Sequence, residues 1–166
     1  MIDELKNRLE SLIIFLKEID DFISNEMKKK ELKEFILDLN RSDQLFEKRE
    51  DSRGVNLGSI AGGYSDYTEL INQGKSFTYK GVTNVKKSGE DPFLFDTGDF
   101  YKSFFISYNS GLLTIDANPF KDDTNLFNEY GVDILGLQEE NIDKVIDAIN
   151  FRFKNEVEKK IQQLAL

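Results

Sequence analysis

Residues 91–104 read Asp-Pro-Phe-Leu-Phe-Asp-Thr-Gly-Asp-Phe-Tyr-Lys-Ser-Phe, and the interpretation of this stretch decides the predicted fold. The triplet Asp96-Thr97-Gly98 follows an apolar run. In one interpretation, Asp96 is a catalytic carboxylate in a chain that is nearly all β. In the other, Asp96 or Thr97 accepts hydrogen bonds from the backbone N–H groups of a short helical turn at 98–102, and the triplet is a structural corner.

The corner interpretation has a physical basis in the neighbouring residues. Gly98 lets the chain reverse closely after the apolar strand. Phe100 and Phe104 are four residues apart, so both can face the core as the turn gives way to a strand at Ser103. Loss of such a cap costs about 1 kcal/mol. We therefore expect Asp96→Ala to destabilise the protein modestly and not to abolish an activity.

Helical periodicity dominates both ends of the chain, in the regions 1–39 and 138–164. At the N-terminal end, the apolar residues that fall on one stripe are Ile2, Leu5, Leu9, Leu12, Leu16, Ile19 and Ile23. At the C-terminal end, they are Ile142, Val145, Ile146, Ile149, Phe153, Val157, Ile161 and Leu164. Each stripe predicts a helix, and residues 40–43 are predicted to end the N-terminal helical region.

The middle of the chain is typical of loops and hairpins. Residues 47–66 are loop-like, and their glycines lack the Gly-Lys-Ser/Thr of a phosphate-binding loop. Residues 76–93 predict an extended, locally basic hairpin arm, and residues 104–117 predict a second hairpin that turns at 109–111. The prediction is a single α+β domain over residues 1–166. N-terminal helices and a long C-terminal helix pack on a small antiparallel sheet with a protruding hairpin arm.

Composition narrows the chemistry available to the chain. The 166 residues include no Cys and no His, which excludes disulfides, thiolate nucleophiles and imidazole groups that act as bases or metal ligands. The net charge of −9 disfavours wrapping of duplex DNA. The N-terminal segment does not resemble a signal peptide, and no apolar run is long enough to span a bilayer, so we expect synthesis in the cytoplasm. We predict no cofactor and no metal.

The catalytic interpretation rests on a resemblance to the retroviral-type aspartic proteases. Residues 93–98 resemble their apolar-apolar-Asp-Thr-Gly loop, and residues 133–136 resemble their later apolar-apolar-Gly element. In that family two aspartates share a proton. Asp99 stands where the family has Ala or Ser, and Asp96 lies too close in sequence to Gly136 to accommodate the usual flap and strands. The predicted helices also contrast with that nearly all-β fold.

A longer span of the chain carries a second resemblance. The motifs, in order, are the Asp-x-x-Gly loop at 50–54, the Thr-containing segment at 64–68, the corner at 94–104, the Glu-Tyr-Gly turn at 129–131 and the Leu-Gly-Leu entry to an acidic helix start at 135–142. This order resembles the phage virion morphogenesis, or tail completion, family over about residues 32–160. The chain departs from that pattern at Asn128, where the family often has His.

The second resemblance implies a structural phage protein of the tail or neck that forms a homo-oligomeric ring, with no enzymatic activity. It implies contacts with the tail tube or tail terminator and with connector proteins, and a place in the virion. Membrane and direct nucleic-acid partners are not expected. The expected assembly residues are Asp96, Thr97, Gly98, Phe100, Ser103 and Phe104 at the corner, and Phe77, Tyr79, Lys80, Lys86 and Lys87 in the arm. The alternatives are a merely solvated hairpin, and a small adaptor that forms no ring.

Overall fold

A computed structural model of the chain describes residues 2–121 and 123–164. Its helices are α1 (Ile2–Lys28), α2 (Lys30–Asp38), a π-helix (Leu39–Lys48), α3 (Leu57–Ala61), α4 (Asp66–Ile71), α5 (Asp99–Lys102), α6 (Leu126–Tyr130), a 3-10 helix (Val132–Ile134) and α7 (Glu139–Leu164). Its strands are β1 (Phe77–Tyr79), β2 (Val82–Asn84), β3 (Phe105–Asn109), β4 (Leu112–Asp116), β5 (Phe120–Lys121) and β6 (Thr124–Asn125). The architecture is α+β, as predicted.

The long helices at the two ends of the chain are confirmed and contact each other. The ring of Phe22 in α1 packs edge-on against Phe153 in α7, with 5.2 Å between the centroids. The buried carboxylate of Glu26 accepts a hydrogen bond from Arg152 at 3.0 Å. The predicted stripe residues whose side chains lie outside the described residues are Ile2, Leu5, Leu9, Leu12, Leu16, Ile161 and Leu164.

The N-terminal helical region does not end at residues 40–43, where polar residues predicted its exit. Instead, α2 continues directly into the π-helix, which has ten residues. Helices with i→i+5 hydrogen bonds are rare and mostly limited to a single turn. A longer π-helix therefore needs support from other parts of the fold.

Buried amide side chains supply this support and join the π-helix to the start of α7. Asn40 and Gln44 are fully buried, and their amide nitrogens donate to the Gly136 carbonyl at 2.6 and 3.2 Å. The Gln44 Oε1 atom accepts from the backbone N–H of Gln138 and from Asn141 Nδ2, both at 2.9 Å. An unpaired buried polar group costs about 1–3 kcal/mol, so these bonds fix the two helices together.

In the described residues the strands form three separate two-stranded hairpins, not one small sheet. The β3–β4 hairpin was predicted, and it pairs Ile106 with Ile115, both buried. Its turn residues Ser110 and Gly111 have φ values of 51° and 82°, which fits a two-residue turn with positive φ at both positions. Both β1–β2 and β3–β4 place apolar side chains directly in the shared core, so neither hairpin needs a further strand to cover it.

The core is centred on an aromatic cluster around Phe46. The centroid of this ring lies 5.2 Å from that of Phe93 and 5.7 Å from that of Tyr79. The β1–β2 hairpin contributes Tyr79 to the cluster and buries Phe77 beside it. The predicted arm at 76–93 is therefore a shorter hairpin that lies against the core and does not protrude.

Part of the apolar stripe of α7 stays at the surface. Val145 is buried and Ile149 packs against the core. Ile142 and Ile146 remain 46% and 48% exposed. The reason is that the amide network at Asn141 turns the adjoining face of α7 toward the π-helix, and the next row of the stripe is left uncovered.

Candidate functional site

The Asp-Thr-Gly corner is a tight reversal that requires glycine. Gly98 adopts a φ of 81°, in the left-handed region that favours glycine, and α5 begins at the next residue. A Cβ atom at this position would lie 3.1 Å from the ring of Phe95. Gly98 is thus needed both for the backbone conformation and for the space beside it.

The aromatic residues of the corner belong to the core. Phe100 and Phe104 are buried with 4.9 Å between their centroids, as their spacing of four predicts. The buried Tyr101 hydroxyl donates to the Phe93 carbonyl at 2.7 Å. The Ser103 hydroxyl donates to the Phe100 carbonyl at 2.6 Å. It accepts from the backbone N–H of Asn118, which follows β4, at 3.0 Å. These contacts hold the corner to the rest of the fold, and they bury the rings of Phe100, Tyr101 and Phe104.

Of the two residues predicted to accept from the N–H groups of α5, Thr97 does so and Asp96 does not. The cap position is occupied by Gly98, which has no side chain, and only Thr97 Oγ1 accepts from the first N–H of α5, at 3.4 Å. The Asp96 carboxylate instead accepts a hydrogen bond from Lys86 Nζ at 2.9 Å and pairs with Lys121 Nζ at 3.0 Å. Asp96 is the centre of an ion cluster of one carboxylate and two ammonium groups.

Lys86 is the buried member of this cluster. Its side chain is 6% exposed, and its ammonium group lies 4.4 Å from the centroid of the Phe77 ring, within cation–π range. Burial lowers the pKa of Lys86, and the hydrogen bond to Asp96 opposes this effect. The same hydrogen bond is the largest cause that lowers the pKa of Asp96. The lowered pKa of Asp96 keeps its carboxylate ionised at neutral pH.

The charge state of Asp96 differs from the one that an aspartic protease needs in its catalytic pair of aspartates. An aspartic dyad needs a carboxyl group whose pKa is raised by a like-charged neighbour. The pKa of Asp96 is lowered by two cations, which is the opposite situation. In this arrangement Asp96 serves to neutralise a buried lysine.

A cavity of about 330 Å³ opens beside the ion cluster. Its polar lining includes Lys86, Lys121, Tyr64 and Tyr130. Burial raises the pKa of Tyr130 to about 12, so this hydroxyl stays protonated at neutral pH. Tyr64 and Tyr130 belong to motifs of the predicted series, at 64–68 and 129–131. The sequence did not predict that they meet at one cavity, and Lys121 was missed, because these segments are distant in sequence from the corner.

The five arm residues that were predicted to make assembly contacts have different environments. Phe77, Tyr79 and Lys86 pack in or against the core. The Lys80 ammonium pairs with Asp38 at 3.1 Å. Lys87 is exposed. The arm therefore exposes Lys80 and Lys87, whereas Phe77 and Lys86 are buried.

A more exposed apolar surface lies on α4, whose first residues fall in the Thr-containing segment at 64–68. No residue of α4 is buried, and Tyr67, Leu70 and Ile71 are 69%, 66% and 51% exposed. Their spacing of three and four places them on one face. The Ser65 hydroxyl caps the helix by accepting from the Thr68 N–H at 3.1 Å. A well-formed helix thus presents an uncovered apolar face, which we call the α4 patch.

A basic groove adjoins the α4 patch. It has a volume of about 320 Å³, and its lining includes Lys75, Val85 and Lys87. Both lysines are exposed, and neither has an ion partner within the described residues. Glu69 of α4 also lines this groove, and its carboxylate accepts from the Ser88 N–H at 2.9 Å.

Other kinds of site find little support in the described residues. They contain no group of three or more acidic side chains arranged to hold a metal ion. No helix among them is long and apolar enough to cross a membrane. Comparison with family models, with curated proteins and with solved structures finds no significant match to this chain.

Proposed function

We propose that the chain is a structural protein of a bacteriophage tail or neck, which completes the tail or joins it to the head as a homo-oligomeric ring. The observation that carries this proposal is the ordered series of motifs over residues 32–160. Its expected partners are other copies of itself, the tail tube or tail terminator, and connector proteins. Its expected location is the virion.

Contacts between distant motifs support a structural role for them. The buried Asp51 carboxylate, from the Asp-x-x-Gly loop, folds that loop by accepting from the N–H groups of Arg53 and Val55 at 2.8 and 2.9 Å. The Asp51 carbonyl accepts from Gln138 Nε2 at 3.0 Å, at the entry to α7. Gly136 of the Leu-Gly-Leu motif supplies the carbonyl that receives the π-helix amides. The motif residues are accounted for by folding contacts, as expected of a structural protein.

The ion cluster at the corner favours a structural role over carboxylate catalysis. Asp96 is held ionised by Lys86 and Lys121, whereas acid–base work at a dyad needs one carboxyl that stays protonated. We expect no cleavage of casein or of an apolar peptide library at pH 4 to 6. Cleavage that disappears in the Asp96→Asn variant would establish the aspartic protease alternative in place of the structural role.

Deletion of the gene tests the proposed function in the phage that encodes it. We expect electron microscopy of the lysate to show filled heads and separate or unfinished tails, because the joining or completing step is missing. Supply of the wild-type chain from a plasmid should restore joined particles. Complete, infectious particles from the deletion would contradict the proposal.

A further inference from the structure

The cavity beside the ion cluster has apolar walls as well as polar ones. Its volume of about 330 Å³ falls in the range of about 300–1,000 Å³ that is usual for small-molecule sites. Leu94, Phe95 and Leu126 form part of its lining. A ligand in this cavity would therefore contact apolar side chains and charged groups at the same time.

Two ammonium groups lie together at this cavity. Lys86 and Lys121 both line it, and their ammonium groups bind the two carboxylate oxygens of Asp96, at 2.9 and 3.0 Å. An ammonium group has three N–H donors, and within the described residues each of these two uses one on Asp96, so both keep donors for a ligand. The two cations and Asp96 together carry one excess positive charge, which a monoanion would balance.

Two tyrosine hydroxyls add neutral donors to the same cavity. Tyr64 Oη accepts from the Phe93 N–H at 3.1 Å, and its own proton has no acceptor within the described residues. Tyr130 Oη has no hydrogen-bond partner in the part of the chain that the structure describes. Both side chains are half-buried. Free donors beside ammonium groups suit a ligand that offers acceptor oxygens.

One carboxylate, that of Glu129, also belongs to the lining and opposes an anion. Glu129 lies near the Tyr130 hydroxyl, because burial first and then the charge of Glu129 raise the pKa of that tyrosine. Glu129 is exposed, so water and salt screen its charge, whereas the Lys86 side chain is only 6% exposed. The cavity thus favours a single negative charge at the lysines and disfavours a dianion such as phosphate.

The backbone at Leu94 is strained where it forms the cavity wall. Leu94 has a φ of 50°, which is uncommon for a bulky residue, and such residues cluster at ligand sites. The preceding residue, Phe93, is fixed through both of its backbone groups. Its N–H donates to Tyr64 and its carbonyl accepts from the Tyr101 hydroxyl. The fold therefore holds Leu94 at the cavity in spite of an unfavourable conformation.

We propose that this cavity binds an organic monocarboxylate. The carboxylate of the ligand accepts from the ammonium groups of Lys86 and Lys121. Its apolar body packs against Leu94, Phe95 and Leu126. A free acid and the C-terminal residue of a partner chain both offer this chemistry. The site does not depend on the proposed role in the virion, and complete particles from the gene deletion would leave it unaffected.

Titration of the ¹⁵N-labelled protein tests the site with 3-phenylpropionate, which represents a free acid, and with N-acetylphenylalanine, which represents a C-terminal residue. We expect binding with a Kd on the order of 1 mM or tighter, seen as shifts of the amide signals of residues 93–95. The corresponding primary amides should bind at least about tenfold more weakly, because they lack the charge. The acid that binds more tightly indicates which source the site accepts. No binding of either acid at about 10 mM, or equal binding of acids and amides, would overturn the proposal.

Charge variants assign the binding to the cavity. Lys121→Met should weaken binding of the acid about tenfold. Lys154→Met makes the same charge change at an exposed position of α7 that does not line the cavity, and it should bind like wild type. Glu129→Gln should strengthen binding of the acid about two- to fivefold and leave the amide unchanged, a gain that a misfolded protein cannot show. Equal weakening in both lysine variants, or no gain in Glu129→Gln, would refute the site.

Discussion

Replacement of Asp96 by Ala tests the ion cluster at the corner and is expected to cost about 2 kcal/mol of the free energy of unfolding. The Lys86 ammonium is buried and would lose its only carboxylate partner within the described residues. A hydrogen bond to a charged group contributes about 1.5–3 kcal/mol. The lower part of that range applies because the Asp96 side chain is 39% exposed and partly screened by solvent. The partly exposed pair with Lys121 adds less than about 1 kcal/mol.

The coupling between Asp96 and Lys86 is measured by urea denaturation of four proteins: wild type, Asp96→Ala, Lys86→Met and the double variant. Lys86→Met should be within about 1 kcal/mol of wild type, because an apolar side chain replaces a desolvated cation under the Phe77 ring. In the Lys86→Met background, Asp96→Ala should cost less than about 1 kcal/mol. In the wild-type background the loss of about 2 kcal/mol corresponds to a melting temperature lower by about 4–8 °C for a domain of this size.

The same Asp96→Ala cost in both backgrounds would refute the argument, since it would mean that Lys86 does not depend on Asp96. Asp99→Ala is the matched control. Asp99 is an exposed aspartate whose ion partner within the described residues is the equally exposed Lys102, and it also accepts from Thr97 Oγ1 at the surface, so its loss should be much smaller. The contribution of Asp96 to the free energy of unfolding should also depend on pH, in a direction that its lowered pKa determines. The pKa of Asp96 is lowered in the folded state, so its contribution is present above about pH 4 and disappears as the pH falls through the folded-state pKa.

Three further changes probe the corner and the π-helix. Gly98→Ala should cost more than about 1 kcal/mol, and more than Gly111→Ala, because both have positive φ but only Gly98 has a ring 3.1 Å from the new Cβ; equal thermal shifts would contradict this. Tyr101→Phe should cost about 1 kcal/mol in urea denaturation by loss of the 2.7 Å bond to a buried carbonyl, with Tyr108→Phe as the control. Gln44→Leu should cost about 1–3 kcal/mol and expose the π-helix to faster hydrogen exchange, because it leaves the buried N–H of Gln138 without its acceptor and removes one acceptor of Asn141; unchanged protection would show that the network does not hold the π-helix.

Local sequence patterns predicted the elements that local physics determines. The alternation of three and four gave α1 and α7, and the β3–β4 hairpin followed from strand alternation with a Ser-Gly turn. The spacing of Phe100 and Phe104 predicted that both would face the core. These features depend on neighbours within a few residues, which the sequence displays directly.

The remaining features depend on partners far along the chain. Residues 40–43 have the composition of a helix end, and the π-helix that continues through them is held by bonds from Asn40 and Gln44 to residues 136–141. Asp96 and Thr97 precede a helical turn, and either was predicted to accept from its N–H groups; Thr97 does so, but the partners of Asp96 are Lys86 and Lys121. An apolar stripe in the sequence predicts a helix, but it does not show which rows of the stripe are buried in the folded protein.

Localisation of the chain in particles tests the central claim most directly. Gold-labelled antibody against the chain, viewed by electron microscopy on purified particles of the phage that encodes it, should mark a single point at the head–tail junction or at the end of the tail. Free heads from the same lysate serve as the control. Complete particles without label, when the antibody detects the denatured chain in the lysate but not in purified particles, would contradict a structural role in the virion.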